Sequence, residues 1–397
     1  MVWFGVMKLS PQQQKALDAA GAWFDSGAGG VFRVFGYAGT GKTTIARMFA
    51  EMVGGKVLFA CYTGKAAHVL REKGCDGAGT LHALIYQPKS KSAARLRELQ
   101  RDYITKEREG ASPTQLLEIK RLIQVEQENV KRPSFGLKDD SELKSAALLV
   151  IDEVSMVDEI MGADLESFGV PILVLGDPAQ LPPVKGGGYF TNQKPDILLT
   201  EIHRQAADSL ILKVATDVRE GRGITDLVKP KGQSLEFMSG FDQILCGTNR
   251  TRQIINRKMR EHRGFSSMLP QSGDRLICTR NDGETGLLNG SQWSVLDAHW
   301  DAVEETLSLS IQSVDSDEQM TVDAHPEYFI GEEPAYYEVR KKQCFDFAYA
   351  MTVHKSQGSQ FDSVCLIDEA GRFPAHQRRA WRYTGITRAA KELTIIQ

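Results

Sequence analysis

Short apolar runs that stop abruptly at glycine or acid recur along the chain and set its fold class. Val31-Phe-Arg-Val-Phe35 runs into a glycine-rich turn, and the helical pattern Ile45-Ala-Arg-Met-Phe-Ala50 follows it. Residues 56–60, 147–151 and 171–175 are further runs of this kind, and Leu393-Thr-Ile-Ile-Gln397 reads as a last core strand. Almost wholly apolar runs separated by helical patterns are the mark of strands buried on both faces, so they predict parallel sheets flanked by helices. Two stretches break that rhythm. In residues 93–109, Leu96, Leu99 and Tyr103 recur at helical spacing; Gly110-Ala-Ser112-Pro113 then supplies a stop, an N-cap and a first-turn proline, and Leu116, Ile119, Ile123 and Val130 continue on a second helix. That pattern predicts a helical hairpin. In residues 292–339, Thr306-Leu-Ser-Leu-Ser-Ile-Gln312 alternates with period two, while Trp293-Ser-Val-Leu296 and Tyr328-Phe-Ile330 read as short strands between turns; together they fit a small β-barrel.

The size of the chain, 397 residues with 42% apolar and 25% charged positions, suits two or three globular domains of roughly 100 to 200 residues each. Its formal net charge of −3, from 48 Lys and Arg against 51 Asp and Glu, excludes a uniformly basic surface that coats nucleic acid. The charge is unevenly laid out. Residues 281–339 hold 14 acids and no Lys or Arg, which leaves 48 cations against 37 acids elsewhere, and residues 89–132 hold 11 cations against 7 acids. The acidic stretch reads either as a solvated face or as a surface that repels a polyanion and either confines it to the basic remainder of the chain or docks a basic partner. Six cysteines are scattered without a CxxC pair or a His at metal-ligand spacing, and are read as buried reduced thiols. No basic leader and no apolar run of about 18 residues stands in the sequence, so a soluble, cytoplasmic chain with no membrane segment is expected.

The turn after the first strand carries the chemistry. Gly36-Tyr-Ala38-Gly39-Thr40-Gly41-Lys42-Thr43-Thr44 is GxxxxGKT in the strand, loop, helix setting that a P-loop requires. Its glycines let backbone N–H groups curl around phosphate oxygens at a helix N-terminus, Lys42 can reach the β- and γ-phosphates, and the Thr43 hydroxyl can ligate Mg²⁺. The run 147–151 ends in Asp152-Glu153, an acid for the metal and a second one to orient and deprotonate the attacking water. The run 171–175 delivers Gly176-Asp-Pro-Ala-Gln180, whose amide can bond a γ-phosphate oxygen or the water in line with it.

Taken with His203-Arg204, Val353-His-Lys-Ser-Gln-Gly358 and Tyr383-Thr-Gly-Ile-Thr-Arg388-Ala, these motifs fall in the order and character of superfamily 1 helicases, and the chain most resembles the RecD/Dda-like branch, known for 5′ to 3′ translocation on single-stranded DNA. The resemblance implies ATP and Mg²⁺ as cofactors. It makes Lys42, Glu153, Gln180, Arg204 and Arg388 catalytic, the two arginines approaching the γ-phosphate from across an interdomain cleft as arginine fingers do. Gln13, in Leu9-Ser-Pro-Gln-Gln13, would read the adenine edge, with Gln12 and Gln14 leaving that register open by one residue. Gln357 and Gly358 would face the nucleotide, while Thr352, His354 and Lys355 face nucleic acid together with Thr63 and Lys65 of Cys61-Tyr-Thr-Gly-Lys65 and with Thr80 and His82 of Thr80-Leu-His82. Stacking platforms are unassigned, with Tyr86, Tyr189, Phe190 and Trp381 as either platform or core.

The resulting expectation is an α/β chain of two RecA-like P-loop domains, residues 1–86 with 146–205 and 206–290 with 340–397. A helical insertion occupies 87–145 and an acidic small β-barrel 291–339. Where the family places a strand-separating pin, usually a β-hairpin, this sequence has helices, read as a wedge or DNA-guiding arm. Implied partners are single-stranded DNA and tailed duplex DNA, with a single-strand-binding or replication or repair protein. Two alternatives stay open: an RNA-directed helicase of the same fold, and a non-unwinding ATP-switched subunit of a repair or recombination complex.

Overall fold

The computed structural model describes residues 9–88, 94–131, 135–183, 188–201, 209–282, 284–332 and 342–397. The first helix, α1 (Pro11–Asp25), opens on a reciprocal capping box: Ser10 Oγ accepts from the Gln13 N–H at 3.3 Å and Gln13 Oε1 accepts from the Ser10 N–H at 3.0 Å. The next strands are β1 (Val31–Gly36), β2 (Val57–Cys61), β3 (Gly79–Thr80), β4 (Tyr86–Pro88), β5 (Phe135–Leu137), β6 (Leu148–Asp152), β7 (Ile172–Gly176) and β8 (Ile197–Leu199). Six of them form a parallel sheet in the order β3-β2-β6-β7-β1-β8. Strand alternation explains the unbroken apolar runs: Phe35, Leu149, Ile151 and Val174 enter a core with Leu81, Ile85 and Phe190, while Val34, Leu148, Val150 and Leu175 enter another with Ala16, Ile45 and Phe49. Both faces are covered, as a parallel sheet demands. Helix α2 (Lys42–Met52) follows β1, α3 (Gly64–Glu72) follows β2, and α4 (Leu81–Ile85) follows β3.

Two long helices, α5 (Ala94–Arg108) and α6 (Pro113–Lys131), pack on each other between β4 and β5, which pair antiparallel in the register Tyr86 to Leu137. After α7 (Glu159–Glu166) and α8 (Leu210–Arg219), a second parallel sheet runs β16-β10-β17-β18-β9. It comprises β9 (Val228–Lys229), β10 (Gln243–Cys246), β16 (Ala350–Thr352), β17 (Phe361–Ile367) and β18 (Ala389–Ile396), flanked by α9 (Leu235–Ser239), α10 (Asn249–His262) and, near the chain end, α12 (Ala375–Ile386). The molecule is thus a two-domain α/β fold with parallel sheets.

A third, antiparallel sheet joins β11 (Arg275–Cys278), β12 (Gln292–Asp301), β13 (Thr306–Ser313), β14 (Gln319–Ala324) and β15 (Phe345–Phe347) in the order β14-β13-β12-β11-β15. β13 buries Leu307, Leu309 and Ile311 as its period predicts. One expectation needs correction. Tyr328-Phe-Ile330 is not a strand: Pro326 fixes the turn before α11 (Glu327–Ile330), and Gly331 at φ +84° ends it. The same ladder takes in β11 and β15, which flank residues 291–339 in sequence. Its core is shared with the second parallel sheet, Leu276, Trp293, Leu309 and Phe345 packing with Ile244, Cys246 and Cys365. All six cysteines are buried free thiols. Among the described residues no helix is long and apolar enough to cross a membrane.

Candidate functional site

Strand order alone brings the chemistry to one edge. With β6, β7 and β1 adjacent and parallel, their C-terminal ends present Asp152, Asp177 and the P-loop side by side, the position where open α/β sheets take ligands. Gly41 enters α2 at φ +79°, in the left-handed region that suits glycine, and no side chain caps that helix. Its first N–H groups therefore point into the loop, an anion cradle. Lys42 Nζ donates to the Gly36 carbonyl at 2.7 Å and that of Tyr37 at 3.2 Å. The Thr43 hydroxyl donates to Asp152 Oδ2 at 2.9 Å. These groups, with Gly39, Thr44, Glu153 and Gly358, line a cleft of about 370 Å³.

Glu153 sits at φ +53°, a strained setting for a side chain that size. Burial holds its carboxyl above the ordinary range; Arg388 opposes that shift, Asp152 adds to it, and Lys42 opposes it again. Arg388, contributed by the second domain and 5% exposed, donates to the carbonyls of Thr384 and Ser359 at 3.1 Å each. Arg204 lies outside the described residues. Gln13 is buried and its Nε2 donates to the Thr40 carbonyl at 3.0 Å, whereas Gln12 binds the Thr200 and Glu201 N–H groups and Gln14 binds Asp18. Of the three glutamines, Gln13 is the one tied to the P-loop.

The two domains meet over this edge. The Tyr383 hydroxyl, on α12, accepts from the Ala38 N–H at 3.0 Å and donates to Asp177 Oδ2 at 2.7 Å. The Leu181 N–H donates to Thr384 Oγ1 at 2.9 Å, and Gln357 Nε2 donates to the Leu181 carbonyl at 2.9 Å. Arg219, ending α8, lies 3.6 Å over the Tyr37 ring. None of Tyr383, Asp177, Arg219 and Tyr37 is singled out by sequence, although Tyr383, Asp177 and Tyr37 stand inside the quoted motifs.

The residues assigned to nucleic acid are dispersed. Thr352 and His354 share a groove of about 320 Å³ with Leu181, Pro182, Pro183 and Phe373. Phe373, which sequence does not pick out, has its ring 5.7 Å from His354 and is stacked on Trp381 at 5.6 Å. Trp381 and Phe190 are wholly buried core. Lys355 is half-buried, with burial lowering its pKa and Asp346 opposing. The Thr63 and Thr80 hydroxyls accept from the Ala66 and Ala83 N–H groups as helix caps. His82 packs between Tyr86 and Phe135, at 4.9 and 4.3 Å, and burial lowers its pKa, as it does that of His354. Lys65 is ion-paired with Asp315 of the acidic sheet.

Comparison with known proteins gives a consistent picture. Residues 8–237 match the AAA domain family, and residues 347–396 match the UvrD-like helicase C-terminal domain. The ATP-dependent RecD2 DNA helicase of Deinococcus radiodurans is 26% identical over 275 residues, covering 61% of this chain and 35% of that protein. The RecBCD enzyme subunit RecD of Mycobacterium tuberculosis is 24% identical over 416 residues, covering 92% of this chain and 66% of that one. This chain thus spans about a third of the first relative's length and just under two thirds of the second's. The structure of Bacteroides Pif1 bound to ssDNA shares the fold with a TM-score of 0.58 at 18% identity, covering 98% of this chain and 92% of that one. With the P-loop on one parallel sheet and a second parallel sheet closing over the same edge, the chain belongs to the AAA domain family.

Proposed function

We propose that the chain is an ATP-dependent DNA helicase that moves 5′ to 3′ along single-stranded DNA and opens tailed duplexes. The observation that carries this reading is the Thr43 hydroxyl against Asp152 at 2.9 Å, with Glu153 beside it and Arg388 brought in by the second domain. Lys42 and the amides of the P-loop hold the phosphates, Gln13 fixes the loop from behind, and Glu153 takes the proton of the attacking water. Burial raises its pKa, which makes the carboxylate a better proton acceptor than an ordinary glutamate. Arg388 then meets the charge that develops at the γ-phosphate, with Arg204 as the second finger. Thr43 and Asp152 are the hard oxygen donors that Mg²⁺ takes, and the ion would neutralise phosphate charge there.

We further read residues 1–86 and 146–205 as one RecA-like domain and 206–290 with 340–397 as the other. Residues 87–145 are then a helical insertion that guides or wedges DNA, and the acidic sheet is a small barrel-like module. The strand runs past Thr352, His354 and Phe373, and the protein works in the cytoplasm beside a single-strand-binding or repair protein. The test is strand displacement on 5′-tailed and 3′-tailed duplexes with ATP, together with ATP turnover stimulated by DNA or RNA oligonucleotides. Unwinding confined to 5′-tailed DNA is expected, and Lys42→Ala should cut stimulated turnover by on the order of a hundredfold or more. Unchanged turnover in that variant would sink the assignment. RNA-specific stimulation, or ATP-dependent binding without displacement, would replace it by one of the two alternative readings.

A further inference from the structure

Tyr383 belongs to the motif that supplies Arg388, yet none of the hydrolysis steps gives it work. It is 1% exposed, and its hydroxyl uses a donor and an acceptor position at once, towards Asp177 at 2.7 Å and the Ala38 N–H at 3.0 Å. Both partners lie in the first domain, while Tyr383 rides on α12 in the second. Asp177 is itself buried and braces the turn that follows β7: its Oδ1 accepts from the Ala179 N–H at 3.0 Å, and its carbonyl accepts from the Gln180 N–H at 3.1 Å. The next residue is gripped from the same side, Leu181 by Thr384 and Gln357. Gln180 is therefore clamped on both flanks by the second domain, while its Oε1 is buried without a hydrogen-bond partner among the described residues. An orphaned amide oxygen held in a braced turn is a group kept ready for something that arrives.

We propose that Tyr383 is a positioning residue: it links the P-loop to Asp177 when the two domains close, and so sets Gln180 in its working place. Opening the cleft breaks both Tyr383 bonds together and releases the Gln180 turn. ATP-site geometry is thereby made conditional on domain closure by one hydroxyl, independently of the arginines.

The inference rests on the ATPase part of the proposed function, and Tyr383→Phe tests it, since the ring still fills the core. Binding of a fluorescent ATP analogue and single-turnover hydrolysis are measured for the full chain, Tyr383→Phe, Gln180→Ala and the double variant. Binding within about twofold of wild type and hydrolysis slowed about tenfold are expected for Tyr383→Phe. In the Gln180→Ala background the same change should have no further effect, as residues acting through one group are non-additive. Wild-type hydrolysis by Tyr383→Phe, or an undiminished effect in the double variant, overturns the proposal. Absence of ATP hydrolysis in the wild type would instead defeat the enzyme reading itself.

Discussion

Glu153 shows how one residue collects several unusual conditions. Its backbone is in the left-handed region, desolvation raises the pKa of its carboxyl, and the cation that most offsets that shift comes from the other domain. A base must be ionised to act, so a raised pKa means that kcat fails on the acid side at a higher pH than an ordinary glutamate, about 4.3, would give. Arg388 stabilises the carboxylate; removing its charge therefore raises the Glu153 pKa further. The kcat profile over about pH 5 to 9 should show its acid limb displaced upward in Arg388→Gln and left in place in Arg388→Lys. Coincident limbs in wild type and Arg388→Gln would show that the two groups are not coupled. The acid itself is legible in the sequence because it ends an apolar run after a P-loop. Its company is not: Tyr383 and Asp177 are 206 residues apart, and a pairing across that separation leaves no local pattern.

At the level of elements, periodicity reports whatever is long and covered. The parallel strands bury both faces and read as continuous runs, and α5 and α6 carry their own spacing and punctuation. The three-residue strands β4 and β5 do not, because a ladder so short has no period, and its two halves are separated by α5 and α6. That ladder matters to the proposed arm. It roots α5 and α6 beside His82, whose ring is held between Tyr86 of one strand and Phe135 of the other. Replacing residues 94–131 with a short Gly/Ser linker keeps this root and removes the arm. ATP turnover stimulated by single strands should persist, while displacement of a 5′-tailed duplex should drop about tenfold. Undiminished displacement would deny the arm any part in separating strands. Tyr328-Phe-Ile330 misleads for the opposite reason: three apolar residues fit a strand or a helical turn equally well, and Pro326 and Gly331 decide for the turn.

Across the whole molecule, the near-neutral total hides a strongly acidic sheet beside a cationic remainder. One of its acids, Asp315, is paired with Lys65, a residue proposed to touch nucleic acid. A strand that uses Lys65 has to displace that carboxylate. Asp315→Asn should therefore tighten single-strand binding and steepen its salt dependence, by about 0.7 in log–log slope for one further phosphate neutralised. A slope equal to wild type would mark the acids as a solvated face. The sheet is also mechanically particular. It shares one hydrophobic core with the second parallel sheet, so it cannot swing by itself, and its loop presses Leu288 and Asn281 against Gly64, where a Cβ would come within 2.9 Å of Leu288 Cβ and 2.8 Å of Asn281 Oδ1. It is joined through its core to one domain and touches the other at Gly64 and Lys65. In the proposed motor, opening the cleft would part the contacts at Gly64 and Lys65 in one movement, so release of the strand would be timed by the domains that turn over ATP.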